Sequence, residues 1–293
     1  MKYFFYPASI LYGILAFIKN FFYDIKLLKA QQLPCSVISV GNITSGGTGK
    51  TPTVLYLCKT LQQGGRKNIG IISRGYGRGT KGMFLVSKGD GPLASWESSG
   101  DEPFMMAKKT RNIPIVVDND RYRGGEFLHR HFNTEIIILD DGFQHRSLYR
   151  NLNIVLINGD SSPSDYKFLP FGFLREPWNS LKRADTVIFT KSKPRQFLFN
   201  KIKKSDVPYF YSYMKSFISF HSLSREKQLK NLTGEKVVLL SGIGDPKSFE
   251  KTIREYNCVI EGHEVFRDHY SYSKSDIFKI INFSKKKNVG YII

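Results

Sequence analysis

From Cys35 to Leu61 the sequence runs C-S-V-I-S-V-G-N-I-T-S-G-G-T-G-K-T-P-T-V-L-Y-L-C-K-T-L. Val37 to Val40 form a short β-branched run, the pattern of a buried strand. A glycine-rich turn follows, and Pro52 opens an amphipathic segment, a residue suited to a first helical turn. Strand, glycine loop, Lys-Thr and helix together make a phosphate-binding loop. The glycine of the common G-x-x-x-x-G-K-[ST] pattern is replaced by Thr44, so the loop is the G-G-x-G-K-T variant. Gly46, Gly47 and Gly49 let backbone N–H groups curl around an anion without a clashing Cβ. The helix N-terminus adds partial positive charge. The nucleotide-binding residues expected on this basis are Thr44, Ser45, Gly46, Gly47, Thr48, Gly49, Lys50 and Thr51. Lys50 is placed on the β- and γ-phosphates, and the Thr51 hydroxyl on Mg²⁺.

A partner motif lies downstream. I-I-I-L-D-D-G-F-Q-H-R, from Ile136 to Arg146, is an apolar strand ending in Asp140 and Asp141. This is the Walker B arrangement, whose aspartate holds the magnesium shell. Between the two lie R-G-Y-G-R-G (Arg74 to Gly79), a glycine loop with two arginines, and S-G-D-E-P-F-M-M-A-K-K (Ser99 to Lys109). Asp101 or Glu102 is a candidate cap for the helix that follows. The region from Ser161 to Leu181 lacks periodicity but is aromatic and proline-punctuated, the composition of a functional loop.

Strands and helices alternate along the 293 residues, which implies an α/β fold with a mostly parallel sheet flanked by helices. The expected organisation is an N-terminal membrane-associated helix over 1–30, a phosphate-loop core domain over 31–215, a linker or β-ribbon over 216–236, and a smaller α/β domain over 237–293. The net charge of +19 points to a polyanionic partner, whether nucleic acid, an anionic membrane or a phosphorylated substrate. The basic residues are scattered and no nucleic-acid module is recognisable, so nucleic acid is not expected. Cys35, Cys58 and Cys258 have no metal or disulfide spacing, which fits a reducing compartment.

The first segment is uncharged from Tyr3 to Ile18, interrupted by Pro7 and Gly13 and flanked by Lys2, Lys19, Lys26 and Lys29. It is shorter than the roughly 20 residues of a spanning helix. Three readings stay open: a helix lying in a membrane surface, a buried N-terminal helix, and a transmembrane anchor.

Seven motifs then line up in order: G-N-x-x-x-G-G-T-G-K-T-P, S-R-G-Y-G-R, G-D-E-P, D-R-x-x-G, L-D-D-G-F-Q-H, G-x-L-R-E-P and F-x-D-H-Y. In this order they resemble the tetraacyldisaccharide 4′-kinases of lipid A biosynthesis, from the N-terminal aromatic segment to Tyr270. The resemblance implies a kinase at the cytoplasmic face of the bacterial inner membrane. It would transfer the ATP γ-phosphate to the 4′-hydroxyl of an acylated diglucosamine 1-phosphate lipid, giving lipid IVA, with Mg²⁺ as cofactor. It implies Asp101 as catalytic base, paired with His269, and Lys50 in catalysis. Thr51, Glu102, Asp140 and Asp141 would serve the metal, and Arg74, Tyr76, Arg123, Gln144, Arg175 and Glu176 the substrate. Other members have a T-E-K-D-type segment after the last strand, so the sequence is expected to be truncated there. Gly142 stands where other members can have alanine, an exchange expected to be tolerated.

Two other classes compete. A nucleotide-gated switch GTPase needs an N-K-x-D base-reading motif, and T-K-S-K at Thr190 to Lys193 lacks the aspartate. A non-catalytic membrane-binding protein leaves the ordered acidic motifs without a purpose.

Overall fold

The computed structural model describes residues 5–213, 218–222, 225–229, 232–268 and 270–293. Its contacts divide into two compact units, Met1–Tyr213 and Met214–Ile293. In the first, the apolar runs form strands β1 (Ser36–Asn42), β2 (Ile69–Ser73), β3 (Phe84–Ser87), β4 (Ile115–Val117), β5 (Ile136–Asp140), β6 (Leu152–Asn158), β7 (Thr186–Thr190) and β8 (Tyr209–Tyr211). They make one sheet in the order β3-β4-β2-β5-β1-β6-β7-β8. Only the β3–β4 pair is antiparallel. A parallel sheet covered on both faces needs strands that are apolar throughout. β2 and β4 accordingly have every residue buried.

The helices of this unit are α1 (Tyr6–Asp24), α2 (Lys50–Gln63), α3 (Trp96–Ser99), α4 (Asp101–Lys109), α5 (Arg121–Phe132) and α6 (Gln196–Lys203). Val54 and Cys58 of α2, with Met106 and Ala107 of α4, pack on Val40, Ile71 and Ile138 of the sheet. Leu128 of α5 packs with Ile72, Val116 and Ile137. The register of the two central strands fixes the site. Ser36 pairs with Ile136 and Val40 with Asp140, so the glycine loop and the aspartates leave the sheet side by side at its carboxyl edge.

The aperiodic stretch after β6 contains two short 3₁₀ turns, Pro163–Tyr166 and Trp178–Arg183. Its aromatic content is packing: Tyr166 stacks on Trp178 with ring centroids 4.6 Å apart.

The second unit holds an antiparallel ribbon, β9 (Ile218–Ser222) with β10 (Arg225–Leu229), inside the stretch read from sequence as linker or ribbon. Next come β11 (Lys236–Ser241), α7 (Pro246–Arg254), β12 (Val259–Val265), α8 (Lys274–Lys286) and β13 (Tyr291–Ile292). They give a three-stranded parallel sheet in the order β12-β11-β13. Its core is Val237, Leu239 and Ile253.

Helix α1 turns small and polar residues inward. Ser9, Gly13 and Asn20 are its buried residues. Their spacing of four and seven keeps them on one helical face. Ser9 Oγ donates to the Phe168 carbonyl at 2.7 Å, and Asn20 Nδ2 donates to Glu176 Oε2 at 2.9 Å. A Cβ at Gly13 would meet the Phe168 ring at 2.7 Å, so glycine permits this close approach. Ile10, Leu11, Ile14, Leu15, Phe17 and Phe21 point outward, Phe17 at 60% exposure. The buried-helix reading of this segment is therefore corrected: the helix is docked through its polar face, and its apolar face is exposed. Among the described residues no helix is long and apolar enough to cross a membrane.

Asn20→Leu should strip one hydrogen bond from the buried Glu176 and the Oδ1 acceptor from Arg146 Nη1, which keeps the backbone carbonyl of residue 20. Leaving buried polar groups short of partners costs about 1–3 kcal/mol. Denaturant unfolding should show that loss, together with faster protease cleavage in α1. Unchanged midpoints and cleavage would contradict the docking role.

Candidate active site

Gly49, the residue before α2, has φ 84°, a left-handed conformation that glycine adopts without strain. A Cβ at Gly46 or Gly47 would touch nothing within 4 Å, so the loop surrounds open space. Its base is fixed by side chains. Asn42 Nδ2 donates to Thr48 Oγ1 at 2.8 Å, and Thr190 Oγ1 donates to the Thr48 carbonyl at 2.9 Å. The Ser45 N–H is committed to the Phe173 carbonyl at 2.7 Å, and Thr44 bridges to Leu174. Thr44 and Ser45 therefore hold the loop in place, while the glycines, Lys50 and Thr51 face the space.

The acidic side converges on the same point. Lys50 Nζ lies 3.5 Å from Asp141 Oδ1. Arg175 Nη1 donates to both Asp141 oxygens at 2.9 Å and reaches Gln144 Oε1 at 3.3 Å. Gln144 Nε2 donates to the Asn42 carbonyl at 2.7 Å, tying the aspartate turn to the loop strand. Thr51 Oγ1 donates to Glu102 Oε1 at 3.1 Å, and Ser73 Oγ to Asp140 Oδ2 at 2.9 Å.

The two aspartates have opposite electrostatics. Burial, helped by Glu102 and Asp141, pushes the Asp140 carboxyl up to about 7. Burial also works on Asp141, but Lys50 and Arg175 outweigh it and hold that carboxyl below its usual range. Asp140 Oδ1 is buried with no hydrogen-bond partner. An orphaned carboxylate oxygen beside the Thr51 hydroxyl and Glu102 is a hard-oxygen donor set of the kind magnesium takes. Among the described residues no three His, Cys, Asp or Glu side chains form a ready-made metal cage.

The family profile for tetraacyldisaccharide-1-P 4′-kinase matches residues 1–293. The chain belongs to this family. A tetraacyldisaccharide 4′-kinase of Halothermothrix orenii is 36% identical over 97% of this chain and 78% of the relative. One from Aquifex aeolicus is 38% identical over 91% of this chain and 82% of the relative. A crystal structure of LpxK from Aquifex aeolicus in complex with ATP, at 2.2 Å resolution, superposes with a TM-score of 0.77. It is 36% identical, and the match covers 93% of this chain and 84% of that one.

Within this 4′-kinase fold, the residues singled out from sequence divide into groups. Lys50, Thr51, Glu102, Asp140, Asp141, Gln144 and Arg175 are brought together by the contacts above. Asp101 and Glu102 open α4, but neither caps it: the cap residue is Gly100, φ 90°, with no side-chain cap bond, which corrects the capping expectation. Glu102 instead takes the Thr51 hydroxyl. Tyr76 is 74% exposed in the glycine loop, which abuts the G-D-E-P turn; a Cβ at Gly100 would lie 3.0 Å from the Tyr76 carbonyl. Arg74 is exposed on the same loop. Arg123 forms a two-point pair with Asp118 at 2.8 Å and is engaged there. Glu176 is 4% exposed and bonds Arg183 and Asn20, so its contacts are with the protein. His269 lies outside the described residues.

Sequence reading passed over Arg121. It is 5% exposed, its Nε has no partner, and it feels Arg74, Asp141 and Asp140. Burial, then the Arg74 charge, lowers its pKa. Arg121 is the named arginine of D-R-x-x-G and Arg123 fills an x position, so the motif itself pointed to Arg121; α5 turns the first inward and the second to solvent. Gly142 also differs from expectation. A Cβ there would fall 2.5 Å from the Leu139 side chain and 2.7 Å from Ser39 Oγ, so alanine needs those side chains to shift.

Proposed function

We propose that this chain is an ATP-dependent kinase that phosphorylates the 4′-hydroxyl of tetraacyldisaccharide 1-phosphate, giving lipid IVA in lipid A biosynthesis. The observation that carries the reading is the register of β1 on β5, which sets the glycine loop and Lys50 against Asp140 and Asp141. Phosphoryl transfer is mostly positioning and charge stabilisation. The glycine-loop amides and Lys50 hold the triphosphate, and Arg175 and Arg121 add positive charge beside it. Thr51, Asp140 and Glu102 would hold magnesium, which supplies charge neutralisation at the β- and γ-phosphates. Asp101, at the start of α4, accepts the proton of the sugar 4′-hydroxyl as its oxygen bonds the γ-phosphorus and the bond to the β-phosphate oxygen breaks.

The test is lipid phosphorylation by the purified chain in detergent micelles, with magnesium ATP or magnesium GTP and tetraacyldisaccharide 1-phosphate. Phosphate on the disaccharide with ATP is expected. Turnover absent with both nucleotides would refute the kinase reading, and a preference for GTP would favour a switch.

The outward apolar face of α1, with Lys19, Lys26 and Lys29 at and beyond its C-terminal end, supports a helix lying in an anionic membrane surface. We place it on the cytoplasmic face of the inner membrane. Phe17→Asp and Leu15→Asp change exposed positions and so should leave the fold intact. Each should reduce partitioning onto anionic vesicles by about tenfold or more, since burying one such side chain contributes about 1.5–3 kcal/mol. Equal flotation of wild type and both variants would remove the membrane role from this face.

A further inference from the structure

Helices α2 and α4 pack on the sheet within one core cluster, and the Thr51–Glu102 bond joins their first turns. Toward their C-terminal ends they border a cleft of about 570 Å³, within the size range of small-molecule sites. Leu55, Tyr56, Lys59 and Gln62 line it from α2, at spacings of three and four that keep them on one helical face. Lys109, the last residue of α4, and Arg111 line it from the other side. Gln62 Nε2 donates to the Arg111 carbonyl at 2.9 Å and ties the two walls together.

The cleft is positive and uncompensated. Lys59, Lys109 and Arg111 are exposed, and among the described residues none of them enters an ion pair. Helix α2 contains no acidic residue, and the acids of α4, Asp101 and Glu102, stand in its first turn, about 12 Å along the helix from Lys109. The carbonyl ends of the two helices oppose this with about half a negative charge each. Three full cations outweigh them and leave an excess of about two positive charges. A lone carboxylate answers half of that excess, whereas a diphosphate answers all of it and accepts charge-assisted bonds from both lysines and the arginine. The remaining wall is not ionic. The Tyr56 ring is 68% exposed beside Leu55, and an open aromatic face of this kind stacks nucleobases whatever their identity. Gln62 has its second amide N–H and its Oε1 left for a base edge.

We propose that this cleft is a second nucleotide site, taking a nucleoside diphosphate whose phosphates meet Lys59, Lys109 and Arg111 and whose base lies on Tyr56. It is separate from the glycine loop: Lys59 stands about 14 Å along α2 from Lys50. The site goes beyond the kinase reading and does not rest on it.

Binding is measured on the full chain by equilibrium dialysis against labelled ADP, GDP or pyrophosphate, with magnesium at physiological ionic strength. Wild type should take up ADP and GDP at a site additional to the glycine loop. Changing Lys59, Lys109 and Arg111 together to Gln should abolish that uptake. These positions are exposed, so the unfolding midpoint should stay in place. Arg111→Gln alone should weaken the site by about tenfold or more, the scale of one charged hydrogen bond. Tyr56→Ala should weaken nucleotide binding there by about fivefold or more and leave pyrophosphate binding unchanged, because only the base stacks. A control with Lys285, Lys286 and Lys287 changed to Gln removes the same charge near the end of α8 and should bind like wild type. If nucleotide is lost from the glycine loop alone while the cleft still binds, the kinase reading fails and this site stands. Nucleotide uptake that the cleft changes leave untouched, an equal loss in the α8 control, or a Tyr56→Ala loss as large for pyrophosphate as for nucleotide would overturn the proposal.

Discussion

Lys50→Ala is expected to cut lipid phosphorylation at least about 10²–10³-fold, the scale on which one preorganised charge at a transition state is felt, while the chain remains folded. The structure separates these outcomes. Lys50 sits 3.5 Å from Asp141, but Arg175 independently holds both Asp141 oxygens at 2.9 Å. Removing the ammonium therefore leaves Asp141 compensated, and α2 keeps its packing through Val54 and Cys58. Thermal unfolding should shift little. The kinetic loss should fall on kcat more than on KM for the lipid if Lys50 handles the triphosphate as proposed. Lys50→Arg preserves the charge but presents a planar fork where a compact ammonium fits, so rescue should be partial at best. Turnover within about threefold of wild type for Lys50→Ala, a change too small for any such charge, would take Lys50 out of phosphate handling and leave the glycine loop as an ordinary turn.

That prediction draws on a motif legible in the sequence, and the reasons for its legibility are local. Gly49 requires a left-handed φ, Val37 to Val40 suit only a buried strand, and Lys-Thr must open a helix. Each depends on neighbours in sequence. The Asp140–Asp141 strand was readable for the same reason, and the seven ordered motifs carried the family. What escaped depends on which way a side chain turns once packed. Arg121 was legible as the arginine of its motif but passed over for Arg123 at an x position; the docking of α5 on β2 and β4 sends Arg121 into the site. Glu176 follows Arg175 directly, yet Arg175 enters the acidic cluster and Glu176 braces α1. The N-terminal segment is a harder case. Its composition allowed a buried helix, and only the inward set of Ser9, Gly13 and Asn20 shows that the apolar face is left over.

Asp140→Asn should stabilise the metal-free protein above neutral pH while abolishing most phosphorylation. Asp140 is 1% exposed, with one oxygen bonded to Ser73 and the other unpartnered. Burial and the nearby Glu102 and Asp141 charges raise its carboxyl from 3.8 to about 7. The folded state therefore holds a proton that the unfolded chain has already lost. The stability this contributes is fully present below about pH 4 and disappears as pH rises to about 7, an effect on the order of 4 kcal/mol by linkage. Asparagine still accepts from Ser73 but cannot ionise, so the decline should be missing from the variant. At about pH 4 the two proteins should unfold at similar temperatures; at pH 8 without magnesium the variant should be higher by about 8–16 °C, at roughly 2–4 °C per kcal/mol. Adding magnesium nucleotide should reverse the order, because only the wild-type carboxylate gains a cation. Thermal scans at both pH values, with and without magnesium ATP, read all of this directly. A variant less stable than wild type at pH 8 without metal would mean that the Asp140 charge is already balanced inside the fold. The carboxylate would then be a structural anion, and the metal role would have to pass to Glu102 and Thr51.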